Sequence, residues 1–309
     1  MKHFSDRLIA QVKAKKSPVC VGLDPRIEKM PPGLYKEMID KHGDNSTAVA
    51  ETFIAFNKGI IDAVHDLVPA VKPQFAFYIN HGFEGVRAFS ETCSYAQSKG
   101  LIVIADAKVN DIGSTAEAYA EAFLGPKTKT GDKPASAFSC DALTVNAYLG
   151  YDGVKPFVDV SRKNGSGIFV LVKTSNPSSN DLQSRQVDGA FSVSDLMAHF
   201  VESWGSDEIG ECGYSSVGAV VGATFKAEAA KLRTLMSKSI FLVPGYGAQG
   251  GSAQDVAVCF NKDGLGAIIN SSRDIIFAWE KLGLLPDQYA DAARGAVQRM
   301  NLDLAKVAV

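Results

Sequence analysis

Short apolar segments rich in β-branched residues alternate with helix-like segments along almost the whole chain. The apolar segments lie at 18–24, 69–74, 101–108, 142–148, 167–175, 217–223, 239–245 and 266–272. Their near-continuous apolar character is typical of strands buried on both faces, as in parallel sheets. Helical patterns occupy 48–66, 81–99, 112–124, 150–163, 193–204, 223–237, 252–262 and 274–281. Eight strands alternating with eight helices predict an α/β fold, the (β/α)8 barrel.

A doubly wound open sheet needs the same alternation and is the structural alternative. The count of eight, and polar residues at nearly every strand's C-terminal end, favour the barrel. No linker divides the 309 residues, so a single barrel domain over 1–309 is expected. Insertions lie at 125–139 and 176–192. The second follows the fifth strand, and the sequence is consistent with either a lid over the site or a plain surface loop there.

Composition excludes several classes of function. The net charge is −2, from 32 basic and 34 acidic residues, which gives no electrostatic reason to expect nucleic acid or an anionic membrane as partner. The N-terminus lacks the apolar core of a signal peptide and predicts an amphipathic helix with Phe4, Leu8, Ile9 and Val12 on one side. Five scattered cysteines without a CxxC pair argue against a disulfide framework or a cysteine-based zinc site, and a reducing cytoplasm fits them.

The predicted strands end in residues able to carry chemistry, and barrels draw their catalytic groups from these ends. In order, the ends give Asp24, Lys72, Asp106 with Lys108, Asn146, Ser175, Gly245, and Asn270 with Arg273. Because side chains two apart in a strand share a face, Asp106 and Lys108 are expected to point together into the barrel. One charge at a strand end is usually solvated, whereas two lysines and two acids at one mouth predict an alternating ionic network holding a lysine as general acid. Asp111, three positions on, is either part of that network or the N-cap of the next helix.

A second group of residues predicts a phosphate site. The segment "VPGYGAQGGS", residues 243–252, contains Gly245, Gly247, Gly250 and Gly251 and leads into a predicted helix N-terminus. Amide groups and the helix dipole at such a position favour an anion. The glycines alone could form only a tight turn, but Arg273 at the eighth strand end adds a cation suited to phosphate oxygens. Together they predict a phosphorylated small molecule as substrate.

Five segments in order resemble one known family. "DAKVNDIGSTA" (106–116) resembles the D-x-K-x-x-D-I signature of the orotidine 5′-monophosphate decarboxylases. "VGLDP" (21–25), "AVKPQFAFY" (70–78), "VLVKTSNPS" (170–178) and "VPGYGAQGG" (243–251) resemble that family's remaining blocks. The "KTSNP" wording and the length resemble its longer bacterial subgroup. The resemblance spans nearly the whole chain.

The resemblance implies a (β/α)8 homodimer that converts orotidine monophosphate (OMP) to UMP and CO2 in pyrimidine biosynthesis, without metal, Schiff base or other cofactor. It assigns Lys108 as proton donor to C6, Asp106 as neighbour of the departing carboxylate, and Lys72 to the same network. Asp111 and Thr115 are expected to complete the neighbouring subunit's site. The substrate-binding set that it implies is Asp24 at the ribose, Ser175 at the pyrimidine ring, and Pro244, Gln249 and Arg273 at the base and phosphate.

Two other functions stay open at this point. A metal-dependent sugar-phosphate decarboxylase or aldolase of the same barrel group shares the D-x-K-x-x-D element, but those relatives place an acidic metal ligand where this chain has Lys72. A non-catalytic barrel that binds a nucleotide as a sensor is the second alternative. Because no member of the predicted charge network is missing, the catalytic interpretation is favoured.

Overall fold

The computed structural model describes residues 2–126, 135–187, 189, 191–247 and 250–308. Within these residues, eight parallel strands close a barrel in the order β1-β10-β9-β8-β5-β4-β3-β2. The barrel strands are β1 Val19–Leu23, β2 Ala70–Pro73, β3 Ile102–Val109, β4 Ala142–Val145, β5 Gly167–Lys173, β8 Ser215–Val221, β9 Ser239–Val243 and β10 Ala267–Ser271. A separate antiparallel hairpin consists of β6 Gln186–Val187 and β7 Phe191–Ser192.

Helices surround the barrel and connect its strands. Their bounds are α1 Phe4–Lys15, α2 Pro32–His42, α3 Ser46–Val64, α4 Phe75–Ile79, α5 Gly82–Ser98, α6 Gly113–Leu124, α7 Tyr151–Asn164, α8 Val193–Trp204, α9 Lys226–Leu235, α10 Ala253–Val256, α11 Arg273–Ile276, α12 Ala278–Leu282 and α13 Tyr289–Leu304. Short 3-10 helices lie at Ile27–Lys29, Pro177–Asp181, Ala257–Cys259 and Pro286–Gln288. In the described part of the chain, no helix is both long and apolar enough to cross a membrane.

The core has two layers because each strand buries both of its faces. Alternate residues such as Val103 and Ala105 of β3 pack against the surrounding helices, whereas Ile102 and Ile104 face the barrel interior. Helix α1 contributes Phe4, Leu8, Ile9 and Val12 to that interior cluster, as the amphipathic pattern predicts. The helix therefore closes the N-terminal end of the barrel and leaves the opposite end for polar groups.

The predicted (β/α)8 architecture is confirmed, and each of the eight predicted strands is present. Two predicted helices are shorter than expected: segment 252–262 contains the four-residue α10 and a 3-10 turn, and segment 274–281 is divided between α11 and α12. The sequence pattern did not indicate α2, α4, α13 or the β6–β7 hairpin. These elements lie between or beyond the strand–helix pairs on which the alternation depends.

The insertion after β5 is tied down to the end of that strand. Lys173 is 1% exposed, and its ammonium donates to Asn180 Oδ1 (2.8 Å) and Ser184 Oγ (2.9 Å) while lying 4.3 Å from the centre of the Phe225 ring. Gln183 accepts from the Thr174 amide at 2.9 Å and donates to the Thr174 hydroxyl at 2.9 Å. These bonds fix the start of the insertion against the strand end that carries Ser175.

Candidate active site

Three charged side chains form a compact network at the C-terminal mouth of the barrel. Lys72 on β2 and Lys108 on β3 bind opposite oxygens of the Asp106 carboxylate, with Nζ–O distances of 2.5 Å each. Gln74 adds a hydrogen bond to Asp106 Oδ2 at 3.0 Å, and the Thr144 hydroxyl donates to Oδ1 at 2.9 Å. Lys72 and Asp106 are buried, at 4% and 6% exposure, whereas Lys108 is half exposed toward the mouth. Both oxygens of the Asp106 carboxylate therefore accept two hydrogen bonds each. The exposed part of Lys108 is free to contact a ligand.

The network fixes the charge state of its buried members. Burial alone would raise the pKa of Asp106, but the ammonium groups of Lys72 and Lys108 outweigh it and hold that pKa well below its ordinary value. Burial would likewise lower the pKa of Lys72, yet the charges of Asp106 and Asp24 reverse the direction and raise it. The carboxylate thus stays ionised and Lys72 stays protonated, which makes the network a fixed array of charges.

Asp24 follows the end of β1 beside the network, and its pKa is shifted in the opposite direction from that of Asp106. Burial raises its pKa, and the opposing effects of Lys72 and of a hydrogen bond from Ser272 only partly offset that rise. Its Oδ1 atom is buried and has no hydrogen-bond partner within the described residues. An unpaired buried carboxylate oxygen is costly, so this atom is suited to accept a hydrogen bond from a bound ligand.

The backbone at Lys108 departs from regular strand geometry. The register of β3 against β4 shifts between Ala105 and Val109, and Lys108 adopts a left-handed φ of 49°. Asp106 and Lys108 do converge, but the simple alternation expected from the sequence ends at Asp106. A left-handed φ is uncommon for a residue other than glycine, so neighbouring contacts must hold this conformation.

Arg273 lines the same cavity and lies at the first position of α11. Among the described residues it forms no ion pair, because the adjacent Asp274 pairs with Lys281. In the nearby glycine loop, of which the structure describes residues 243–247 and 250–252, the Gly247 amide donates to Gly251 O at 2.9 Å. Gly247 has a φ of 72°, and a Cβ there would lie 2.2 Å from Asp274 Oδ2, so this position favours glycine. The loop thus passes close to an unneutralised guanidinium.

The helix that follows the glycine loop is shorter than the sequence predicts and offers fewer free N-terminal amides for a phosphate. Helix α10 spans only four residues and carries a capping box, in which Ser252 Oγ accepts from the Asp255 amide and Asp255 Oδ2 accepts from the Ser252 amide. The Asp255 carboxylate therefore already occupies this helix N-terminus, and it adds negative charge there. The N-cap and N3 amides of α10 are thus already bonded, whereas the phosphate contact stays a prediction, for which Arg273 supplies a cation in the cavity lining.

A single cavity brings together most of the predicted site residues. Its lining includes seven of them: Asp24, Lys72, Asp106, Lys108, Ser175, Pro244 and Arg273. Asp111 and Thr115 do not line it. Asp111 is not a helix cap either, because α6 has Ile112 at its N-cap position. Among the described residues, the side-chain bond that Asp111 Oδ1 accepts comes from the Ile112 amide, at 2.8 Å. Gln249 lies outside the described residues.

The cavity also contains residues that the sequence did not single out as site residues. These are Gln74, Thr144, Thr174, Tyr246, Ser271, Ser272 and Asn270, of which only Asn270 was noted as a strand end. At β4 the prediction of Asn146 is wrong: this residue is exposed and absent from the lining, and its Oδ1 accepts the Tyr148 amide. Thr144 takes the place because β4 ends at Val145. The two residues have the same parity, so strand periodicity indicated the correct face but not the correct position.

Comparison with known proteins places the chain in a family. The family model described as "Orotidine 5'-phosphate decarboxylase / HUMPS family" matches residues 17–282. The chain belongs to the orotidine 5′-phosphate decarboxylase / HUMPS family. The family predicted from the sequence motifs is therefore confirmed.

Relatives within the orotidine 5′-phosphate decarboxylase family match along nearly their full length. The orotidine 5′-phosphate decarboxylase of Rhodopirellula baltica is 45% identical over 308 residues, covering 98% of this chain and 99% of that protein. The enzyme of the same name from Caldicellulosiruptor saccharolyticus is 42% identical over 280 residues, 91% of each chain. The structure of Leishmania donovani OMP decarboxylase superposes with a TM-score of 0.74 at 28% identity, covering 99% of this chain and 98% of that one. These names favour the predicted decarboxylase over the metal-dependent alternative.

Proposed function

We propose that the chain decarboxylates orotidine 5′-monophosphate to UMP and CO2 without a cofactor. The observation that carries the proposal is the Lys72–Asp106–Lys108 network at the mouth of a barrel whose relatives are named for this reaction. Two ammonium groups share one carboxylate, so the array has a net positive charge that can stabilise a developing carbanion. Arg273, which lines the same cavity, supplies the cation for a phosphate.

The reaction breaks the bond between C6 and the substrate carboxylate. Its electron pair stays on C6 as CO2 departs, and Lys108 then donates a proton from Nζ to that carbon and regains one from solvent. The exposure of the Lys108 side chain toward the cavity supports this role, as does its fixed position beside Asp106. Asp106 faces the departing carboxylate and disfavours the bound ground state, while Lys72 keeps Asp106 ionised.

The remaining predicted contacts hold the nucleotide. Asp24 accepts a hydrogen bond from the ribose through its unpartnered Oδ1, Ser175 contacts the pyrimidine, and Pro244 bounds the base. Arg273 binds the phosphate, together with Gln249 of the glycine loop. Because the phosphate is remote from C6, its binding energy serves to orient the base against Lys108.

We further propose that the enzyme works as a homodimer in which Asp111 and Thr115 complete the partner's site. Neither residue lines the cavity of its own chain, although both follow β3 closely. Large apolar side chains are exposed after the neighbouring strands β2, β3 and β4, namely Ile79, Phe83, Ile112, Tyr119, Tyr148 and Leu149. An apolar surface on this side of the barrel supports a partner seated there. A cytoplasmic location remains a prediction from the cysteine pattern.

A spectrophotometric assay with OMP tests the proposed reaction directly. The purified protein should consume OMP with loss of its ultraviolet absorbance and release one CO2 per UMP, and a chelator should leave the rate unchanged. Sensitivity to the chelator would favour a metal-dependent sugar-phosphate enzyme instead. Binding of UMP without any turnover of OMP would indicate a nucleotide sensor and would rule out the decarboxylase.

A further inference from the structure

Thr144 contacts the backbone of Lys108 and the carboxylate that binds the Lys108 ammonium, both through one oxygen atom. Its Oγ1 accepts the Lys108 amide at 3.0 Å and donates to Asp106 Oδ1 at 2.9 Å, the same carboxylate oxygen that accepts Lys108 Nζ. The contacts close a ring that runs from the Lys108 amide through Thr144 and Asp106 to the Lys108 ammonium. Backbone and side chain of one residue are thus fixed by a single hydroxyl group.

The donor and acceptor roles in this ring are determined by the chemistry of a hydroxyl. Thr144 has one hydroxyl hydrogen, and the charged Asp106 oxygen at 2.9 Å is a better acceptor for it than Ala105 O at 3.5 Å. A lone pair of Oγ1 then accepts the Lys108 amide. Thr144 is 1% exposed, so water has no access to replace either bond.

The ring lies where β3 leaves regular geometry. Lys108 has a left-handed φ of 49°, and the register against β4 shifts between Ala105 and Val109. Such a conformation persists only where surrounding contacts determine it. The Thr144 hydroxyl, reaching across from β4 to the Lys108 amide, is the side-chain contact that the structure gives to this amide.

We propose that Thr144 is a positioning residue that sets the approach of Lys108 Nζ to the reacting carbon. It acts through Lys108 and Asp106 and makes no contact with the substrate carbon itself. The expected effect on kcat rests on the proposed decarboxylase function. The expected effect on the position of Lys108 does not. Loss of the hydroxyl should therefore slow the proton-transfer and charge-stabilising step more than it weakens nucleotide binding.

Thr144→Val and Thr144→Ser form a matched pair, since valine keeps the shape and serine keeps the hydroxyl. With OMP, Thr144→Val should lower kcat by about 10- to 100-fold, the range for losing a hydrogen bond to a charged group. The KM for OMP and the Kd for UMP should stay within about twofold, and Thr144→Ser should recover kcat to within about threefold of the wild type. Thr52→Val is the control: it removes another buried hydroxyl, bonded to Ala48 O at 2.7 Å in α3, and should leave kcat unchanged.

The proposal is overturned if Thr144→Val keeps its kcat, if the serine variant is as slow as the valine variant, or if UMP binding falls in parallel with kcat. A crystal structure of Thr144→Val gives a readout that needs no turnover. Lys108 should leave its left-handed conformation, or its Nζ should move away from Asp106 Oδ1; an unchanged geometry would contradict the proposal. If the wild type fails to convert OMP, the proposed function is lost, and this structural comparison still decides the role of Thr144.

Discussion

Asp106 and Lys108, two positions apart on β3, are joined by a 2.5 Å contact between Oδ1 and Nζ despite the break in strand geometry between them. In a regular strand, side chains at this spacing run side by side without meeting end to end. Here Lys108 has a left-handed φ, and its ammonium meets the Asp106 carboxylate. The acid and the lysine therefore form one rigid unit at the barrel mouth, and a bound carbon atom would meet both.

Replacing Lys108 by alanine should abolish most of the turnover and leave nucleotide binding measurable. We expect kcat to fall by about 100- to 10,000-fold, the usual contribution of a general acid, while Lys72 still pairs with Asp106 and keeps the site folded. Fixed-time assays with OMP measure the fall in kcat, and titration with UMP measures the nucleotide binding. Lys36→Ala, which removes an exposed lysine paired with Asp40 on α2, should behave as the wild type. A Lys108→Ala variant that kept more than about a tenth of its rate would show that another group is the proton donor.

Mixing two inactive variants tests whether Asp111 serves the partner subunit. If it does, a dimer of one Lys108→Ala chain and one Asp111→Ala chain contains one intact site and one doubly altered site. Random mixing should then restore about a quarter of the wild-type activity, because half of the dimers are mixed and one of their two sites works. If Asp111 acts within its own chain, both sites of each mixed dimer are damaged and no activity returns. Each variant mixed with itself is the control.

Strand periodicity predicted the face on which the site residues lie, because side-chain direction in a strand follows directly from sequence position. Asp106 and Lys108, which the alternation along the third strand predicts to point together into the barrel, both line the cavity. Periodicity does not determine where a strand ends, so the sequence pattern indicates Asn146 at the end of β4, where the structure has Thr144 in the cavity. The two differ by one repeat, and the end of β4 at Val145 decides between them.

Other features of the site depend on contacts between distant segments and were not predictable from local sequence. The left-handed Lys108 has no local signal, since lysine has no preference for that conformation and a hydroxyl on another strand supports it. The N-cap prediction for Asp111 was wrong because α6 starts one position later than the pattern indicated. By contrast, the capping box of α10 does have a local signal, because Ser252 and Asp255 have the spacing that identifies one.

Arg273 should discriminate a nucleotide from a nucleoside. Arg273→Ala removes the guanidinium that faces the cavity without an ion-pair partner among the described residues, so the affinity for UMP should fall by about 10- to 100-fold. The affinity for uridine, which lacks the phosphate, should stay unchanged. Arg273→Lys should lie between the two because it keeps the charge and loses the fork of donors. Calorimetric titration with both ligands measures the difference, and equal weakening of uridine would argue against a phosphate contact.

Asp24 should make the unliganded protein less stable as the pH rises. Burial raises the pKa of Asp24 in the folded state, and the negative charge of Asp106 raises it further. The charges of Lys72 and Lys108 and a hydrogen bond from Ser272 only partly offset this rise. Below the ordinary aspartate pKa the carboxyl is protonated in both folded and unfolded chains, so Asp24→Asn should match the wild type. Above it the unfolded chain ionises first, and the variant should gain in Tm relative to the wild type until the pH passes the folded pKa.

Thermal unfolding between about pH 3 and pH 8 measures the difference in Tm between Asp24→Asn and the wild type. Asp40→Asn, on the exposed face of α2, is the control and should show no comparable pH-dependent gain. The same Asp24→Asn variant should bind UMP more weakly, since it replaces the carboxylate oxygen that lacks a partner. A gap in Tm that shrinks as the pH rises would contradict the sign of the effect.

Lys173 should hold the 176–192 insertion in place, which distinguishes a fixed wall from a mobile lid. Lys173→Met keeps most of the buried volume but removes the bonds to Asn180 and Ser184, at a cost of about 1–3 kcal/mol. Protease cleavage within 176–192 should become about tenfold faster, and kcat/KM should fall because Thr174 and Ser175 adjoin the loosened segment. Lys262→Met, at an exposed lysine, is the control. If the wild-type segment is cleaved as rapidly as the variant and UMP protects it, the insertion is a lid and Lys173 does not anchor it.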